Sequence, residues 1–132
     1  MEIIVGVDFI DNEVFKISAD MSQTTLYVDK KEVDHPAKGP NPLELFLSSL
    51  GSCVGVYAKK YLVRHSLPFK SVSIKVRADF LIANPARLGN VTVVVSTDAD
   101  LGDRKDAFLR FVKGCPIHNT ILHTDSVSIE LI

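Results

Sequence analysis

Charge of one sign is missing from this chain: 15 Lys and Arg stand against 16 Asp and Glu over 132 residues, a formal net charge of −1. That balance excludes the electrostatic footprint of a nucleic-acid binder or a polybasic membrane patch. Long apolar runs are missing too. The longest, residues 43 to 58, is broken by Glu44, three serines and two glycines, and it falls short of the ~20 residues a membrane span requires. The N-terminus, MEIIVGVDFIDNEVFK, lacks the charged n-region and apolar run of a signal peptide. There is no internal repeat and no low-complexity linker. Cysteine is scarce, with only Cys53 and Cys115. Two cysteines without an export signal suit a reducing compartment, where a transient catalytic or redox disulfide is expected over a structural one. The expected location is the cytoplasm.

What is present is apolar. Residues of that kind make up 46% of the chain, enough to exclude disorder, and the positive mean hydropathy anticipates apolar surface given to a subunit interface. The length suits one domain, residues 1–132. Residues 2 to 8, 13 to 19 and 23 to 29 are short β-branched runs separated by Asp11-Asn12 and Asp20-Met21-Ser22, which predicts a three-stranded meander. The segment KKEVDHPAKGPNP is too rich in Pro and Gly to continue a strand.

From Pro42 to about Arg64, apolar residues recur at spacings of three and four, with Pro42 suited to the first turn. The middle of this long helix is apolar all round, which predicts burial on every side. Gly51 and Gly55 each cost about 1 kcal/mol as helix residues. Their spacing predicts the close approach of another backbone, such as a second copy of the same helix. Residues 71 to 83 and 90 to 97 alternate as partners in a hairpin. Asp103 is the expected N-cap of RKDAFLRFVK, Gly114 its C′ residue, and Pro116 the first residue of a short helix PIHNTILH. SVSIELI closes as a terminal strand. The order βββ-α-ββ-αα-β is an α+β domain.

The chemistry-bearing residues are few. Cys53 lies inside the long helix, and Cys115 precedes Pro116. Two such thiols are either small buried hydrophobes or a redox pair. At a helix N-terminus Cys115 is expected to be the more acidic thiol. Cys115 and His118, with Cys53 or His123, would be the ligands of a zinc site, but the paired spacings of structural zinc are missing. Metal and cofactor are therefore not expected. Tyr57 reads as core, and His35 and His65 as solvated loop residues.

GPNPLELFLSSLGSCV, followed about sixty positions later by CPIHNT, resembles the OsmC and Ohr family of thiol-dependent hydroperoxide reductases. The likeness spans nearly the whole chain. It implies an OsmC-like fold in an intertwined homodimer, two long central helices packed together, and active sites at the subunit interface. By that resemblance Cys53 is the peroxidatic thiol, attacking an organic or hydrogen peroxide to give a sulfenic acid. Cys115 is the resolving thiol, and an external dithiol returns the pair to its reduced state. The family pairs its reactive cysteine with a glutamate near the helix start, for which Glu44 is the candidate, and with an arginine from the N-terminal half. This chain has no arginine before Arg64, and Glu44 stands two residues after Pro42 instead of directly after it. Lys30, Lys31 or Lys38 would have to supply the positive charge, without the planar fork of a guanidinium. Glu44 and Cys53 are nine residues apart, ~13 Å of rise on a regular helix, so any action of Glu44 on a cysteine would be on the partner subunit's, or would require an irregular first turn. The competing expectation is a dimeric protein on the same scaffold that binds an apolar small molecule without peroxidase activity.

Overall fold

The computed structural model describes residues 1–11, 14–19, 21–30 and 36–132; Lys31 and His35 lie outside these. The chain packs as two units, Met1–Phe46 and Leu47–Ile132.

The first unit is an antiparallel meander, β1 (Val5–Asp11), β2 (Val14–Ala19) and β3 (Thr24–Val28). The register pairs Val7 with Ile17, Phe9 with Phe15, and Ile17 with Leu26. Side chains alternate across a strand, so the apolar residues gather on one face of this sheet. Val5, Val7, Phe9, Phe15 and Leu26 all remain substantially exposed there. After β3 the chain is pinned by Asp29, which is 1% exposed. Its amide donates to the Pro40 carbonyl (3.0 Å), and its carboxylate accepts from the Lys38 amide (2.8 Å). Gly39 passes so close to the Tyr27 carbonyl that any side chain would collide with it. Only glycine permits that approach.

Helix α1 runs Pro42–Arg64, with the limits the sequence predicts. In the second unit, β4 (Val72–Leu81) and β5 (Arg87–Thr97) form an antiparallel hairpin. Register pairs Ile74 with Val95 and Val76 with Val93, and this face packs against the core. The core consists of Leu50, Val54, Ala58, Tyr61 and Leu62 from α1 together with Phe108, Val112 and Cys115. A short 3₁₀ turn, Gly102–Arg104, leads into α2 (Lys105–Val112), and α3 follows as Pro116–His123. Tyr61 links α1 to α2 by an edge-on contact with Phe108, ring centroids 5.4 Å apart. This mixed α+β architecture agrees with the expected class.

Three expectations need correction. Gly51 and Gly55 face side chains of β4, not a second helix: a Cβ on Gly51 would lie 2.9 Å from Val76 Cγ2, and one on Gly55 3.4 Å from Ile74 Cγ1. Within the single chain, helix α1 leaves Val56 and Val63 exposed on its outer face. Asp103 is not the cap of α2; it falls within the 3₁₀ turn, and α2 begins after Arg104 with no side-chain cap. Residues 124–132 form no strand. A strand needs a neighbouring edge to satisfy its backbone, and among the described residues this segment pairs with none: Val127, Ile129 and Leu131 are 82%, 97% and 98% exposed.

Candidate active site

Two features of the sequence bring Cys115 to a fixed place. Helix α2 ends at Val112, and the next amides fold back on it, Gly114 to the Phe111 carbonyl (3.0 Å) and Cys115 to the Val112 carbonyl (3.2 Å). Pro116, whose fixed φ suits a first helical position, then starts α3 with Cys115 as its N-cap. The Cys115 sulfur takes the place usually filled by a Ser or Asp oxygen and accepts from the His118 amide at 3.3 Å. The His118 ring is held as well, Nδ1 to the Lys113 carbonyl at 3.0 Å. Facing a carbonyl, that nitrogen must carry the proton. Asn119 Nδ2 donates to the Gly114 carbonyl at 3.3 Å, so three consecutive carbonyls or thiols at this corner have partners from α3.

Cys53 comes from the middle of α1. It is half-buried, both cysteines are free thiols, and it packs against the core cluster that contains Cys115. The two thiols are neighbours. Burial pushes the Cys115 thiol above its ordinary value, and the adjacent Cys53 thiol adds to that rise, while the His118 and Ile117 amides pull it down without prevailing. Desolvation disfavours a thiolate more strongly here than a helix N-terminus favours it. The expectation that the helix N-terminus lowers the Cys115 thiol is therefore corrected: the dipole argument overlooked how completely the residue is buried, at 0% exposure.

Glu44 sits at the other end of α1. Asn41 is the N-cap: its carbonyl accepts from the Leu45 amide (2.9 Å), and its Oδ1 accepts from the Glu44 amide (2.8 Å). Glu44 Oε1 accepts in return from the Asn41 amide at 3.2 Å. This reciprocal pair is a capping box built on Asn. The sequence pattern N-P-L-E contained that signal, an N-cap residue with Glu three positions on.

The remaining candidates have structural surroundings. Tyr57 packs on Phe111 (5.6 Å between centroids), with Lys60 Nζ 4.9 Å from its ring centre. His65 is not freely solvated as expected. Its ring stacks on Tyr61 at 4.2 Å, and its Nδ1 lies 3.1 Å from Arg104 Nη1. Phe111, which sequence reasoning missed, also receives Arg64 over its ring at 5.4 Å. Among the described residues no three His, Cys, Asp or Glu side chains gather as a metal ion would need, and no helix is long and apolar enough to cross a membrane.

The family model described as OsmC-like protein matches residues 35–131, a span that carries α1, both cysteines and the β4–β5 hairpin. The chain belongs to the OsmC-like family. Among solved structures, the OsmC-like protein of Mycoplasma pneumoniae is similar with a TM-score of 0.80 at 19% identity, covering 94% of this chain and 89% of that one. A Psychrobacter arcticus protein described for the osmotic-stress and detoxification response matches with a TM-score of 0.74 at 20% identity, covering 92% and 88%. The organic hydroperoxide resistance protein OhrB of Bacillus subtilis matches at 0.62 and 17% identity, covering 94% and 93%. No curated protein sequence matches. At these identities the OsmC-like fold is shared.

Proposed function

We propose that this OsmC-like chain is a thiol peroxidase of peroxide-stress defence, acting on organic or hydrogen peroxides in the cytoplasm through Cys53 and Cys115. The observation that carries this reading is the meeting of the two thiols, one half-buried and one sealed in the core. The name of the Bacillus subtilis neighbour, an organic hydroperoxide resistance protein, supports the same role.

The chemistry divides between them. Cys53 as thiolate attacks the terminal peroxide oxygen, the O–O bond breaks, and the departing alkoxide takes a proton to leave as an alcohol. The resulting sulfenic acid is attacked by Cys115, which forms the disulfide and releases water. A dithiol then restores both thiols and is itself oxidised to a disulfide. A raised Cys115 thiol competes poorly for peroxide, and it must give up its proton as its sulfur attacks the sulfenic acid. Glu44 is assigned to the helix start, where its capping bonds lie.

The working unit of this reading is a homodimer. Three apolar surfaces support it: the open face of the β1–β2–β3 sheet, the outer face of α1 at Val56 and Val63, and the alternating segment at residues 126–132. A second copy would cover all three and provide that segment with an edge. Light scattering should give twice the 14.5 kDa chain mass; a monomer at micromolar concentration would contradict it.

The test of activity is consumption of cumene hydroperoxide in the presence of dithiothreitol. Wild type should turn over and Cys53→Ser should not. Equal rates in the two, or no consumption by wild type, would favour the binding-protein alternative and refute the peroxidase.

A further inference from the structure

The two sulfurs of a Cys53–Cys115 disulfide would not be equivalent to an incoming reductant. Thiol–disulfide exchange requires a thiolate to approach the attacked sulfur from the side opposite the departing one, so access to that side decides which sulfur can react. Cys115 is 0% exposed and stands within the buried cluster of Leu50, Val54, Phe108 and Val112. It is also held by the hydrogen bond its own amide donates to the Val112 carbonyl (3.2 Å) and by the one the Asn119 amide donates to its carbonyl (3.1 Å). Cys53 is only partly buried in the single chain.

We infer that the reductant attacks Cys53 and expels Cys115 as the leaving thiolate, received by the His118 amide that already donates to its sulfur at 3.3 Å. This rests on the thiol pair proposed above. The balance is as follows. A reductant thiolate bonds to the Cys53 sulfur, the protein S–S bond breaks, and its electron pair departs on Cys115, which then takes a proton. The reductant's second thiol attacks the reductant sulfur of the mixed disulfide and frees Cys53. A dithiol has lost two electrons and two protons, and the protein has gained them.

Leaving-group strength points the other way, because a thiol held above its ordinary value departs more slowly. Access outweighs it. A poorer leaving group slows the exchange by degrees, whereas a sulfur with no open side gives no reaction without local unfolding. Peroxide and reductant would thus use one opening and one sulfur in succession.

The experiment starts from wild-type protein oxidised with diamide, which can form the disulfide whether or not peroxide does. A monothiol, 2-mercaptoethanol, is added in excess. Samples are quenched in acid at short times, the free thiols are alkylated in denaturant, and the adduct is mapped by mass spectrometry. The adduct should lie on the Cys53 peptide over the Cys115 peptide by about ten to one in the native protein, and the preference should vanish when the reaction is run in denaturant. An even distribution in the native protein, an adduct mainly on Cys115, or no disulfide with diamide would overturn the inference. A native preference for Cys53 after diamide, with no disulfide after cumene hydroperoxide, would uphold it while refuting the peroxidase.

Discussion

The His118 amide donates a hydrogen bond to the Cys115 sulfur at 3.3 Å, and yet that thiol is held above its ordinary value, because burial outweighs the bond. A helix N-cap that would stabilise a thiolate at the surface is here spent on a sulfur sealed in the core. The result is a thiol fixed in position and harder to ionise than an ordinary one.

A pH titration should show this directly. Cys115 in the native protein should ionise above the ordinary thiol value of about 8.5, and Cys53→Ala should move its midpoint downward, since the neighbouring thiol contributes to the rise. Ultraviolet thiolate absorbance against pH, compared between wild type, Cys53→Ala and Cys115→Ala, measures it. Linkage gives the sign for stability. The folded state binds the Cys115 proton more tightly than the unfolded state, so its contribution is full below the unfolded value and is lost as pH rises through the folded one. Denaturation midpoints should fall in that alkaline range, and less so in Cys115→Ala.

The two glycines of α1 should respond in opposite directions to alanine. Gly55→Ala meets only ordinary contact with Ile74 at 3.4 Å and should gain up to about 1 kcal/mol of helix propensity. At Gly51 the new Cβ would lie 2.9 Å from Val76, an overpacking that costs about 1–3 kcal/mol and cancels or exceeds the same gain. Urea midpoints of the two variants decide it, and a Gly51→Ala variant as stable as Gly55→Ala would contradict the packing described.

Asp98 ties the start of β4 to the end of β5. Its carboxylate accepts from the Lys70 amide at 2.9 and 3.1 Å and from the Ser71 amide at 3.0 Å, and these bonds hold its pKa below the ordinary carboxylate value. A depressed folded value means stability present above the unfolded value and lost as pH falls through the folded one. Asp98→Ala should lower the urea midpoint near neutrality and show a shallower loss of stability below about pH 3.9 than wild type.

The capping box separates the two possible duties of Glu44. Asn41→Ala should cost about 1 kcal/mol. Glu44→Gln keeps an acceptor for the Asn41 amide and should retain both stability and peroxide turnover. A Glu44→Gln variant with full stability and a tenfold lower kcat would move Glu44 from the helix start into the chemistry.

The elements that were legible are those whose limits are marked by local chemistry. Helices α1 and α3 begin where Pro42 and Pro116 allow, because proline at a first helical position is a backbone constraint independent of the rest of the chain. The start of α2 was not legible, since Asp103 looks like a cap yet lies in a 3₁₀ turn that only the preceding loop dictates. The final alternating segment reads as a strand from Val127, Ile129 and Leu131, but a strand depends on an edge, and the sequence does not say whose. Cys53 and Cys115 were identifiable as a pair through the family motif. The ionisation of Cys115 was not, because burial by Phe108 and Val112 is a property of packing that the local Cys-Pro pattern does not contain.

The central claim is that Cys53 and Cys115 act as one redox pair, and counting thiols tests it most directly. Reduced protein receives one equivalent of cumene hydroperoxide, and remaining thiols are titrated in denaturant. The account predicts the loss of both thiols per chain in wild type, the loss of one in Cys115→Ser as a sulfenic acid, and none in Cys53→Ser. Two thiols still present in wild type after the peroxide is added would contradict it.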